Sequence, residues 1–85
     1  MKIEIQVPDY SPEEGLRFEW EETFTIEAQI KNNSVIVRAD RGGLISLARH
    51  LMTLAYAPVS SGYHFHLDES NALADGSCEL IFEKG

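Results

Sequence analysis

The chain has 85 residues, of which 44% are hydrophobic and 25% are charged, and 14 acidic against 7 basic residues give a formal net charge of −7. This length predicts one small domain, residues 1–85, and the composition excludes a disordered chain, while the acidic balance argues against a nucleic-acid partner. One cysteine excludes an intrachain disulfide or a multi-cysteine zinc site, and no apolar run is long enough for a signal peptide or a membrane span, so we expect a cytoplasmic protein.

The N-terminal part of the chain predicts strands. Residues 2–7 alternate between apolar and polar side chains, as in a half-buried strand. Residues 8–15 contain two prolines and a glycine and predict a loop. Alternation resumes over residues 17–30 and is interrupted at Glu22, where we expect a bulge or a short break. The apolar positions of this second stretch are Phe18, Trp20, Phe24, Ile26, Ala28 and Ile30.

A two-residue hairpin turn is predicted at Asn32-Asn33. Asparagine tolerates positive φ, and alternating runs lie on both sides of the pair. The third predicted strand therefore covers residues 34–39, with Val35 and Val37 directed inward.

One amphipathic helix is predicted over about residues 43–57, with Asp40 as a candidate N-cap and Pro58 as the stop. Its inward face is given by apolar residues spaced three and four apart, namely Leu44, Leu47, Ala48, Leu51, Leu54 and Ala55. The other side of the helix carries Ser46, Arg49, His50 and Thr53. For Arg49 and His50 we expect a solvated surface or a salt bridge to a nearby acid, and the alternative is that they help form a partner-binding edge.

Two further strands are predicted around residues 63–67 and 78–82, joined by a loop at 68–77 that is too long for a tight hairpin. The result is an α+β fold of two layers. A single helix packs on a mainly antiparallel sheet of about five strands, in the order β-β-β-α-β-β.

The stretch from His64 to Asp68 supports two interpretations. Phe65 and Leu67 share the parity of the core, so His64, His66 and Asp68 point from the uncovered face. Two imidazoles and a carboxylate are zinc ligands, and one alternative is a small metal-binding protein that uses these three residues. The other interpretation is a polar contact face for a partner.

Clustered carboxylates make a second candidate feature. Glu19, Glu21 and Glu27 share one strand face and repel one another, a cost that a cationic partner would relieve. A homo-oligomer is a further alternative, because Ile36 and Ile81 are apolar at positions that are otherwise polar.

The C-terminal half resembles the immunity protein 32 family of bacterial polymorphic toxin systems. The resemblance covers about residues 42–83 and rests on Gly43-Leu44, Leu47-Ala48-Arg49-His50-Leu51, Leu54-Ala55, His66-Leu67-Asp68, Gly76-Ser77 and Glu79-Leu80. It implies a stoichiometric inhibitor of a toxin domain, with no catalytic residue and no cofactor. The partner contacts that we predict are Glu19, Glu21, Glu27, His64, His66, Asp68 and Glu69.

Overall fold

A computed structural model of the protein describes residues 1–8, 13, 15–56 and 58–85. These residues contain two antiparallel β-hairpins and one helix. The elements in chain order are β1 (Ile26–Lys31), β2 (Ser34–Ala39), α1 (Arg41–Ala55), β3 (His64–Leu67) and β4 (Leu80–Glu83). The α+β class, the single helix and the antiparallel pairing are therefore confirmed. No helix in the described part of the chain is long and apolar enough to cross a bilayer.

The prediction of one five-stranded sheet is wrong, because the described residues form four strands in two separate two-stranded sheets. Residues 2–7 alternate in sequence but form no strand, and none of the four strands in the described part of the chain pairs with them. In the stretch 17–30, only the end forms a strand, and the rings of Phe18, Trp20 and Phe24 pack against the core without a strand. The alternation of apolar and polar residues indicates which side chains are buried. A strand also needs a neighbouring strand to which its backbone is hydrogen-bonded. Most of the predicted loop, residues 9–12 and 14, lies outside the described residues.

The first hairpin forms at the predicted turn. Asn32 and Asn33 have φ values of 51° and 65°, the left-handed conformation that both central residues of a type I′ turn require. The register pairs Lys31 with Ser34 and Ile26 with Ala39. This hairpin was predictable because asparagine reaches positive φ at low cost.

A non-strand segment, residues 74–78, links the two hairpins. Ala74 N–H donates to the Ile26 carbonyl and Cys78 N–H to the Ala28 carbonyl, both at 2.8 Å. The Ala28 N–H in turn donates to Ser77 Oγ at 3.1 Å. Strand β1 therefore has β2 at one edge and this segment at the other, and the segment leads directly into β4.

The helix starts two residues before the predicted position, and its N-cap is confirmed. Asp40 Oδ1 accepts hydrogen bonds from the N–H of Gly43 at 2.7 Å and of Thr25 at 3.0 Å. These bonds, the one from Thr25 first, lower the pKa of Asp40. A single carboxylate thus caps the helix and holds it against the residue that precedes β1.

The predicted inward face of α1 is partly wrong. The buried positions are Gly43, Ser46, Leu47, His50, Thr53 and Leu54. Leu44 and Leu51, predicted to be buried, are 57% and 43% exposed. Two stripes offset by one position both have helical spacing. The buried stripe mixes polar and apolar residues, and its two hydroxyls can be buried because both have hydrogen-bond partners. Ser46 Oγ accepts the Glu21 N–H at 2.9 Å, and the Thr53 hydroxyl donates to the Arg49 carbonyl at 2.7 Å.

One apolar core lies between the helix, β1 and the second hairpin. It consists of Ile26, Ala28, Leu47, Leu54, Val59, Phe65, Leu67, Leu73 and Leu80. Because β1, α1, β3, β4 and the loop at 68–77 all contribute, the two hairpins share this core.

Candidate partner-binding surface

The exposed face of β3 carries the two predicted histidines. Alternation along the strand buries Phe65 and Leu67 and exposes His64 and His66, as predicted. The centroids of the two imidazole rings lie 5.0 Å apart. His66 Nδ1 is 3.4 Å from Oε2 of Glu79, which lies just before β4. The face therefore presents two imidazoles and one carboxylate side by side.

Asp68 and Glu69, also predicted as contacts, hold the loop at 68–77. Asp68 Oδ1 accepts hydrogen bonds from the Ser70 hydroxyl at 2.6 Å and the Ser70 N–H at 2.9 Å. These bonds, the hydroxyl first, lower the pKa of Asp68. Glu69 Oε2 accepts the N–H of Gly76 at 3.2 Å. Because both carboxylates already accept hydrogen bonds within the loop, only their remaining lone pairs are available to a partner.

Glu19 and Glu21 meet at the side chain of Arg49. Arg49 Nη1 donates to Glu21 Oε2 at 3.0 Å and to the Glu19 carbonyl oxygen at 3.5 Å. Arg49 Nε donates to the Gln6 carbonyl oxygen at 3.1 Å. The expected salt bridge from Arg49 to a nearby acid is thus present. It uses the carboxylate of Glu21, whereas the side chain of Glu19 is exposed.

Glu27 stands apart from the other predicted contacts. Its Oε1 lies 3.9 Å from Nε of Arg38, the residue opposite it on β2. Among the described residues, no hydrogen bond or ion pair joins Glu27 to the histidine face or to the Arg49 cluster. The predicted contacts therefore form three groups, at β3 with its loop, at Arg49 and on the first hairpin.

The geometry does not assemble a metal site in the described part of the chain. There is no group of three or more His, Cys, Asp or Glu side chains placed to hold a metal ion. Asp68, the third ligand of the metal-binding alternative with His64 and His66, turns toward Ser70 instead.

His50 departs furthest from its prediction, because it is fully buried. Its ring centroid lies 4.1 Å from that of Trp20, 5.0 Å from Phe18 and 5.8 Å from Phe65, all in edge-on contacts. Burial first, and the Arg49 charge second, lower its pKa to about 4, so the ring is neutral at pH 7. Neither ring nitrogen has a hydrogen-bond partner among the described residues. The adjoining cavity, about 170 Å³, is smaller than typical small-molecule sites.

The sequence reasoning missed the exposed apolar residues of the helix. Leu44, Leu51, Met52 and Tyr56 are all exposed, and we call this set the outer helix stripe. The signal that could have identified them is the second stripe of α1, which also has helical spacing and is offset by one position from the predicted inward face. A stripe of large apolar side chains in solvent is a candidate protein-contact surface in its own right.

The family model for Immunity protein 32 matches residues 34–85, which is more than half of the chain. The chain belongs to the Immunity protein 32 family. The resemblance seen over residues 42–83 is thereby confirmed and extended through β2. No curated protein and no solved structure matches the chain significantly. The Immunity protein 32 region includes β2, the whole of α1, β3 and β4, and hence both the histidine face and the outer helix stripe.

Proposed function

We propose that the protein neutralises a cognate bacterial toxin domain by binding it stoichiometrically in the cytoplasm. The observation that carries this proposal is the match to Immunity protein 32 over residues 34–85. Inhibition by binding needs a stable scaffold and a complementary surface, and it needs neither a catalytic residue nor a cofactor. The role that we propose is therefore non-enzymatic.

We propose that the toxin contacts the acidic and imidazole side chains predicted from the sequence. Glu19, His64 and His66 are exposed and Glu27 is half-buried, so they offer direct contacts. Glu21, Asp68 and Glu69 are further proposed contacts, and they also hold the fold through the bonds described above. A net charge of −7 favours a basic toxin domain, because opposite charges speed the encounter and hold the register of an interface.

Charge reversal tests this surface. We expect Glu19→Lys combined with Glu27→Lys to weaken toxin binding at least tenfold, roughly 1.4 kcal/mol or more, with the larger loss at low salt. Glu4→Lys is the matched control, because Glu4 is an exposed acid outside the proposed surface. Binding is measured by calorimetry against the toxin domain identified by native mass spectrometry of the affinity-purified complex. The thermal midpoint of each variant shows whether the fold is intact.

Different results would contradict the proposed surface and the proposed function. Unchanged affinity in the double variant, with loss of binding in Leu51→Asp, would move the interface to the outer helix stripe. If the protein from its host carries no toxin fragment, and no toxin domain is inhibited by it, the proposed function is wrong.

A further inference from the structure

The outer edge of β2 is open. In the described structure β2 has one neighbouring strand, β1. The side chains of β2 are exposed at every position except the last, Ala39. Val35, Ile36 and Val37 are 61%, 44% and 40% exposed and cover both faces of the strand. An apolar strand with a free edge is a template for pairing with another strand.

The hairpin register shows which backbone groups face outward. The two-residue turn makes Lys31 and Ser34 a hydrogen-bonded pair, and such pairs recur at every second position of an antiparallel ladder. Ser34, Ile36 and Arg38 therefore bond to β1. The N–H and C=O groups of the alternate residues, Val35 and Val37, point away from β1. Among the described residues, none of these outward groups makes a hydrogen bond.

β2 has few of the features that normally protect an edge strand. It contains no proline, and the pairing with β1 runs without a bulge from end to end. Its one charged side chain is Arg38, which lies across from Glu27 on the other strand.

The residue pattern of β2 favours a second copy of the same strand at this edge. Two copies of an acidic chain repel one another across most surfaces, and β2 carries no acidic residue. An apolar strand with the same pattern, a second β2, is therefore the complementary partner.

We propose that the protein forms a homodimer in which β2 pairs antiparallel with β2 of a second copy, with the two-fold axis at Ile36. Val35 then exchanges N–H···O=C bonds with Val37 of the second copy, and the reverse pair does the same, giving about four hydrogen bonds. Ile36 meets its own counterpart in a non-hydrogen-bonded pair, where side chains approach most closely.

This register also avoids like-charge contacts. Arg38 lies opposite Ser34 of the second copy, so the two Arg38 side chains are at opposite ends of the paired region. The product is a continuous four-stranded sheet across the axis. It leaves the histidine face and the outer helix stripe of each copy outside the pairing, whereas Glu27 lies on the same hairpin. The variants below change none of the proposed toxin contacts, so they test dimerisation separately from toxin binding.

The first test removes one backbone N–H group of β2 that points away from β1. Sedimentation velocity and native mass spectrometry of the full chain should show a concentration-dependent dimer. Val37→Pro removes an outward N–H without removing a bond to β1, and we expect it to weaken dimerisation at least tenfold. Val37→Thr keeps that N–H and the β-branched shape, and should dimerise like the parent. Far-UV circular dichroism of both variants confirms that the hairpin is retained.

The second test reports the position of the axis. Ile36→Lys and Ile36→Glu should each be monomeric, because like charges face each other, and an equimolar mixture should recover a heterodimer. Ile81→Lys is the matched control, since Ile81 is a similarly exposed isoleucine on β4, and it should leave the dimer intact. A parent chain that is monomeric at all concentrations, or a dimer that survives both Val37→Pro and Ile36→Lys, would overturn the proposal.

Discussion

At the scale of single residues, His50 shows how burial changes the chemistry of a side chain. The ring is fully buried among Phe18, Trp20 and Phe65, and it stays uncharged because protonation there lacks solvation. The pKa is 6.5 for an ordinary histidine and about 4 in the folded protein. Between these values only the unfolded chain takes up the proton, so acidification favours unfolding.

We therefore predict that protonation of His50 in the unfolded chain lowers the free energy of unfolding by about 3 kcal/mol as the pH drops from above 6.5 to about 4. At lower pH the contribution of His50 stays constant. Urea unfolding across this range measures the slope. His50→Leu should remove most of it, whereas His64→Leu, at an exposed ring, should keep it. Asp40 and Asp68, whose pKa values are lowered, add their own loss of stability below the ordinary carboxyl range. A His50→Leu protein with the parental slope would show that other groups cause it.

At the scale of elements, the start of α1 depends on close backbone approach. A Cβ at Gly43 would collide with the Thr25 carbonyl oxygen and lie 2.9 Å from Ile26 Cγ1 and 3.0 Å from Ala39 Cβ. Alanine is the better helix former by up to about 1 kcal/mol, but overpacking at this contact outweighs that gain. We predict that Gly43→Ala lowers the free energy of unfolding by about 2 kcal/mol. Chemical denaturation checks this, with Met52→Ala on the exposed side of the helix as the control. A stabilised Gly43→Ala protein would contradict the packing.

The elements also show what the sequence could predict. The turn at Asn32-Asn33 and the alternation of β3 follow from local rules, so both were predicted correctly. The buried side of α1 depends on hydroxyl partners distant in sequence, such as Glu21 N–H for Ser46, which no local pattern reveals. The prediction that Val35 and Val37 point inward is wrong, because they are 61% and 40% exposed on a hairpin that extends beyond the core. The predicted contacts His64 and His66 were placed correctly on the exposed face, and their role as contacts stays a prediction.

At the scale of the whole molecule, we propose that residues 1–85 unfold as one domain, although the family match begins at residue 34. Strand β1 precedes that match, yet Ile26 and Ala28 are among the most buried core residues. We predict that Trp20 fluorescence and far-UV circular dichroism give coincident urea transitions. Trp20 is the one tryptophan of the chain and stacks on Phe24 beside His50, so it reports on the N-terminal segment. An earlier transition in fluorescence would mean that this segment unfolds separately from the core.

The bridge from residues 74–78 to β1 also sets the order in which the chain can fold. The hydrogen-bond partners of Ile26 and Ala28 at this edge lie about fifty positions further along the sequence. Contacts between residues so far apart in sequence slow folding. During synthesis the first hairpin can form early from local contacts, but one edge of β1 stays unpaired until residues 74–78 have left the ribosome. Completion of the core therefore follows the synthesis of residues 74–78. For the inhibitory role that we propose, only chains that already include residues 74–78 can present the completed fold to a toxin.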